Sequence, residues 1–245
     1  MKDNETRNIG IKNSEIINRR TKNSFPESHL TDLANNTDLS NSISGPLDLL
    51  DSEMKIYGSG KPVRLFVAGL HGDEWKDTTK LLQEIKPPKT GVLALIPLVN
   101  NEKYISTLDP VYYPETGKKI LEAIEELKPE IYIELHSYAA ENFENLAGKD
   151  RFDRIGVPAY SVLKDGVLLG SVSPWVRRKY FPKEALCLSF ELQKENIESR
   201  KFTASVLEVL KETQSRDEFI EYMKAEFPVQ AKKAIEDYRN FYGEI

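Results

Sequence analysis

A single cysteine, three histidines and no apolar run of membrane-spanning length put several classes of protein out of reach for this 245-residue chain. Cys187 stands in Ala185-Leu186-Cys187-Leu188, where a thiol packs as a small apolar side chain. One cysteine forms no intramolecular disulfide, which fits a reducing compartment. The opening Met1-Lys2-Asp3-Asn4-Glu5-Thr6 lacks the apolar segment of a secretory signal, and no stretch offers the ~20 apolar residues that a spanning helix needs. The expectation is a cytoplasmic protein that engages no membrane. Cationic excess is also missing: 34 Lys and Arg against 39 Asp and Glu leave a formal charge of −5, so no global field draws nucleic acid. Gly58-Ser59-Gly60-Lys61-Pro62 is a turn and not a phosphate loop, because the required glycine spacing and the Lys-Ser/Thr pair are absent.

Polar residues dominate 1–45, which reads as a mobile extension; His29 within it has no ligand-type neighbours. Residues 46–195 read as an α/β core. Val63 to Ala68 is a buried strand that runs into the turn Gly69-Leu70-His71-Gly72-Asp73-Glu74, with a helix from Trp75 to Ile85 behind it. Val92 to Val99 is a second strand; its continuous apolarity suits a parallel strand covered on both faces. A long polar and aromatic loop, 100–114, precedes a helix ending at Leu127. Ile131 to Ser137 is a third strand and Ala185 to Gln193 a fourth; between them Val157–Leu163 suggests a short strand and Pro174-Trp175 a helix start. Beyond Gln193, apolar stripes through Phe202, Val206 and Leu210, through Phe219, Met223 and Phe227, and through Ala231, Ile235 and Tyr238 predict C-terminal helices packed on the core, residues 196–245.

His71 and Glu74, three residues apart where a strand passes into a helix, can converge in front of the sheet edge, the place where open α/β sheets bind ligands. Imidazole and carboxylate make two thirds of a catalytic zinc site, which takes three protein ligands and leaves a position for water. His136, near the end of the third strand, supplies the remaining ligand. Glu134 shares its strand face and can accept an imidazole proton, as carboxylates around zinc-bound histidines do.

These residues resemble a known family. Leu70-His71-Gly72-Asp73-Glu74 looks like the Gly-x-His-Gly-Asn/Asp-Glu signature of the aspartoacylase and succinylglutamate desuccinylase group of the zinc carboxypeptidase superfamily. Glu134-Leu135-His136-Ser137 is similar to that group's Asp-Leu-His-Ser/Thr/Asn strand. The resemblance spans roughly residues 60 to 195 and extends to an uncharacterised archaeal family within the superfamily. It implies one zinc ion on His71, Glu74 and His136, and a catalytic glutamate at the end of a later strand, where Leu188-Ser189-Phe190-Glu191 provides Glu191. It further implies a three-layer fold, a mainly parallel or mixed sheet with helices on both faces. The loop that in the family carries an Arg and an Asn-Arg pair reads here Lys103-Tyr104-Ile105-Ser106-Thr107-Leu108-Asp109-Pro110. Lys103 can replace the oxyanion-stabilising Arg as a point charge; Asp109-Pro110 cannot replace the pair that grips a carboxylate. Arg154, Arg177 and Arg178 are alternative sources of charge, and Tyr138, Tyr160 and Tyr180 are expected to be packing residues.

The implied activity is zinc-dependent hydrolysis of an amide bond in a small-molecule or peptide substrate, by a peptidase or an N-acyl amino acid deacylase, with Glu191 as general base. The alternative is a metal-binding or regulatory protein that keeps the fold without turnover.

Overall fold

The computed structural model describes residues 53–243. The polar extension 1–45 falls outside the described residues, as does the approach segment up to residue 52.

Seven strands form one mixed sheet: β1 (Lys55–Ser59), β2 (Val63–Ala68), β3 (Gly91–Ile96), β4 (Ile131–Tyr138), β5 (Ser161–Val162), β6 (Leu168–Ser171) and β7 (Leu186–Gln193), ordered β1-β3-β2-β4-β7-β6-β5. The four long apolar segments form the parallel centre β3-β2-β4-β7, as their continuous apolarity requires. Antiparallel strands close both margins, β1 against β3 and β6 against β7. The sheet is thus mixed, with parallel strands where the histidines stand.

Eight α-helices occur among the described residues: α1 (Trp75–Gln83), α2 (Lys118–Leu127), α3 (Phe143–Ala147), α4 (Arg151–Ile155), α5 (Pro174–Tyr180), α6 (Ile197–Glu212), α7 (Arg216–Glu226) and α8 (Pro228–Tyr242). Pro174 stands at the first position of α5, where its missing N–H costs nothing. Asn196 caps α6 through the Glu198 and Ser199 amides, and Ser215 caps α7 through the Glu218 amide.

Helices cover both faces. Leu82 of α1, Val206, Leu207 and Leu210 of α6, Phe219 and Met223 of α7 and Ala231 of α8 pack with Phe66, Leu135 and Phe190 on one side. Ile120 and Ile124 of α2 and Val176 of α5 pack with Leu65, Val67, Tyr132 and Cys187 on the other. The predicted C-terminal helices therefore complete the core. None of the described helices is long and apolar enough to cross a membrane.

Candidate metal centre and cavity

Register brings the two histidines together. Ala68 pairs with Leu135 across β2 and β4, so the chain leaving β2 reaches His71 at the level where β4 presents His136. Their rings lie 5.2 Å apart, centroid to centroid, although 136 − 71 = 65 residues separate them. The turn carrying His71 needs two left-handed residues, and Gly69 (φ +56°) and Gly72 (φ +61°) supply them. A Cβ on Gly69 would stand 2.8 Å from Leu98 Cδ1. Further bonds hold the turn: the Gly69 amide donates to Thr78 Oγ1, Tyr112 Oη donates to the Leu70 carbonyl oxygen, and Lys194 Nζ ion-pairs with Asp73 Oδ1. Asp77 in the first turn of α1 accepts from Arg200 Nη1 at 2.7 Å, which ties α1 to α6.

His71, Glu74 and His136 offer ligand atoms that all lie within 4.8 Å of one another, close enough to hold a metal ion. His71 Nδ1 is 3.4 Å from Glu74 Oε1, and His136 Nδ1 is 3.3 Å from Glu74 Oε2. Yet neither His71 Nδ1 nor Glu74 Oε2 makes a well-directed hydrogen bond, although both are buried. All three residues are at most 4% exposed, so bulk water does not satisfy these atoms. Buried polar atoms without well-directed partners are costly, and two that converge with a third donor fit a cation between them.

Electrostatics prepare the three residues unequally for a cation. Burial, with the neighbouring His136 charge, lowers the His71 pKa to about 3, so this imidazole is neutral as a ligand must be. Burial raises the Glu74 carboxyl above its ordinary range against the pull of His136. Burial opposes charge on His136 as well, but Glu74, Glu134 and Glu191 outweigh it and hold the imidazolium well above its usual pKa. A proton on His136 thus partly balances the carboxylates, and a cation binding there has to displace it.

Glu134 stands beside His136. Its Oε2 is 3.4 Å from His136 Nε2, while Tyr113 Oη and Tyr132 Oη donate to its Oε1 at 2.7 and 2.5 Å. Glu191 pairs with His136 in the β4–β7 register, which sets its carboxylate beside the ligand group. Burial pushes its pKa up to about 7 against the attraction of His136.

These residues line a cavity of about 710 Å³. Lys103 does not: its side chain belongs to an exposed stretch, and the loop sends Tyr104 to the cavity instead, 4.5 Å from the His71 ring. The sequence-predicted oxyanion cation is therefore not brought to the site. Nor are the alternative arginines. Arg154 pairs with Asp150, Arg178 lies over the Phe241 and Tyr242 rings, and Arg177 donates to the Phe181, Pro182 and Lys183 carbonyls. Tyr160 lines the cavity and bonds Ser189 Oγ at 3.2 Å, contrary to its expected role in packing alone. The basic residues that do reach the wall are Lys194, Arg216 and Arg151. Arg151, hidden in the charged turn Lys149 to Arg154, carried no sequence signal beyond its charge.

Comparison with known proteins adds three likenesses. The chain is 35% identical over 179 residues, 70% of its length and 87% of the relative's, to the uncharacterized protein MJ0501 of Methanocaldococcus jannaschii. Two structures of the cell shape determinant protein Csd4 from Helicobacter pylori, a Gln46His variant and a tripeptide-bound form, are 21% and 22% identical. Each covers 36% of this chain and 28% of Csd4 with a TM-score of 0.26. Residues 59–243 match the model of a family described as "Uncharacterized protein conserved in archaea (DUF2119)", and the chain belongs to that family.

Proposed function

We propose that this protein is a zinc-dependent amide hydrolase of zinc carboxypeptidase-like fold, a peptidase or an N-acyl amino acid deacylase. The observation that carries this reading is the convergence of His71, Glu74 and His136, whose buried ligand atoms lie within 4.8 Å of one another, with the Glu191 carboxylate beside them. Two imidazoles and one carboxylate are the donor set of catalytic zinc centres, which keep a position open. A zinc ion held there would lower the pKa of a bound water toward neutrality and polarise a substrate carbonyl.

The chain's own residues supply the rest. Glu191, with its pKa near 7, is poised to accept a proton from the attacking water and return it to the departing amine nitrogen. Glu134, fixed by two tyrosine hydroxyls, holds the His136 ring in one orientation. Lys194, held by Asp73 at the rim of the cavity, is the cation nearest in sequence to Glu191 and contributes positive potential to the carboxylates there.

The test is hydrolysis of a panel of N-acyl amino acids and short peptides by zinc-loaded wild type and Glu191→Gln. The variant should keep its zinc and lose about 10²- to 10⁴-fold in kcat, the usual contribution of a positioned acid–base group. Stoichiometric zinc without Glu191-dependent turnover would refute the hydrolase reading and leave a metal-binding protein.

A further inference from the structure

Three basic side chains line the cavity. Lys194 is paired with Asp73 and Arg216 with Asp217. Arg151 is buried, and among the described residues no carboxylate lies within 4.0 Å of its guanidinium. Its Nη1 donates to the Asn145 carbonyl oxygen at 2.7 Å; its Nε is buried with no partner at all. The ring of Tyr160 lies against the guanidinium, 5.2 Å from Cζ to the centroid. Arg64 and Arg177, the other buried arginines, also lack a carboxylate within 4.0 Å among the described residues and each keeps one buried partnerless nitrogen, Nη2 and Nε respectively, but they are held more fully by the backbone. They donate to two and three backbone carbonyls respectively, and neither reaches the cavity.

A buried charge with no counter-ion in contact is costly in a fold unless something else compensates it, and Glu191 acts on Arg151 only from beyond ion-pair distance. Here the edge formed by Nε and Nη2 is free of protein partners among the described residues, and it is the two-donor fork that matches a carboxylate. We propose that Arg151, stacked on Tyr160, receives a carboxylate of the substrate. On the hydrolase reading, on which this rests, the amide cleaved then belongs to an acidic molecule, an N-acyl amino acid or a peptide bearing a free carboxylate, and a neutral capped amide is excluded. The position suits that role. Tyr160 bonds Ser189, and Ser189 lies two residues before Glu191 on the same face of β7, roughly 7 Å away. The anionic group therefore sits within a few residues' length of the bond that is cleaved.

Calorimetry on zinc-loaded protein tests this with N-acetylated amino acids of apolar, aromatic and acidic type, each compared with its carboxamide, and with phenyl phosphate as a tetrahedral anion. Wild type should bind the free acid at least about tenfold more tightly than the carboxamide. Arg151→Gln should abolish that preference, and Arg151→Lys should restore it only in part, because an ammonium lacks the fork. Thermal midpoints of the ligand-free variants report whether each is folded; the wild-type comparison needs no variant. Equal binding of acid and carboxamide, no binding of any acid, a preference for phenyl phosphate, or a preference that survives in Arg151→Gln would overturn the proposal. Turnover measured in parallel separates the two readings. Arg151-dependent acid binding without hydrolysis keeps the subsite and removes the hydrolase, whereas hydrolysis indifferent to the carboxylate removes the subsite alone.

Discussion

His136 and Glu191 are register partners on adjacent parallel strands, β4 and β7. Side chains paired in this way project from the same face of the sheet, so backbone hydrogen bonds, and no loop, fix the imidazole beside the carboxylate. Groups mounted on strands keep their mutual geometry better than groups on loops, and proton transfer depends on that geometry. The pairing also couples their charges: each ionised form favours the other, against the burial that disfavours both.

The Glu191 pKa is raised from 4.5 to about 7, so between these values the folded state holds a proton that the unfolded state has released. Stability therefore falls as pH rises through that window. Metal-free wild type should lose stability relative to metal-free Glu191→Gln between pH 4.5 and 7, by on the order of 1–3 kcal/mol, with little further change above. Denaturant midpoints of both proteins at pH 4, 6 and 8 read this out. A difference that stays flat with pH would show that Glu191 titrates normally.

Tyr113 donates to Glu134, which in turn meets His136 Nε2. Tyr113→Phe removes one of the two hydroxyls that orient this carboxylate and should weaken metal binding about 10- to 100-fold, the usual effect of disturbing a residue behind a ligand. Competition against a chromophoric chelator measures it. Unchanged affinity would mean that Tyr132 alone fixes Glu134.

Cys187 is buried on β7 among Tyr132, Phe181 and Val176, and burial raises its thiol pKa well above the ordinary range. A thiol held protonated and only 4% exposed, at the wall of the cavity, reacts slowly. A disulfide reagent should modify the native protein only slowly and titrate one thiol per chain in denaturant. Rapid reaction under native conditions would place Cys187 at a surface.

What the sequence disclosed depended on how local the signal was. Continuous apolar runs marked the four central strands, and ligand-type side chains at their polar ends marked His71, Glu74 and His136, because packing gives no reason for such residues there. Glu191 emerged only through resemblance, since a lone strand-end glutamate is equally suited to a surface ion pair. Arg151 stayed invisible. In Lys149-Asp150-Arg151-Phe152-Asp153-Arg154 every charge looks solvated, and only the short helix α4 decides that Arg151 turns inward while Arg154 pairs with Asp150 at the surface. Lys103 failed for the opposite reason: the right loop delivers an aromatic ring to the cavity and leaves the cation outside. Tyr113 and Tyr132, which hold Glu134, lie 19 residues apart in a loop and a strand, and no periodicity connects them.

The most direct measurement is the metal content of protein purified without added metal, taken for wild type and for His136→Ala by elemental analysis. One zinc ion per chain in wild type and about none in His136→Ala is the predicted result. Wild type without bound metal, and unable to take up zinc when titrated with it, would contradict the account at its base.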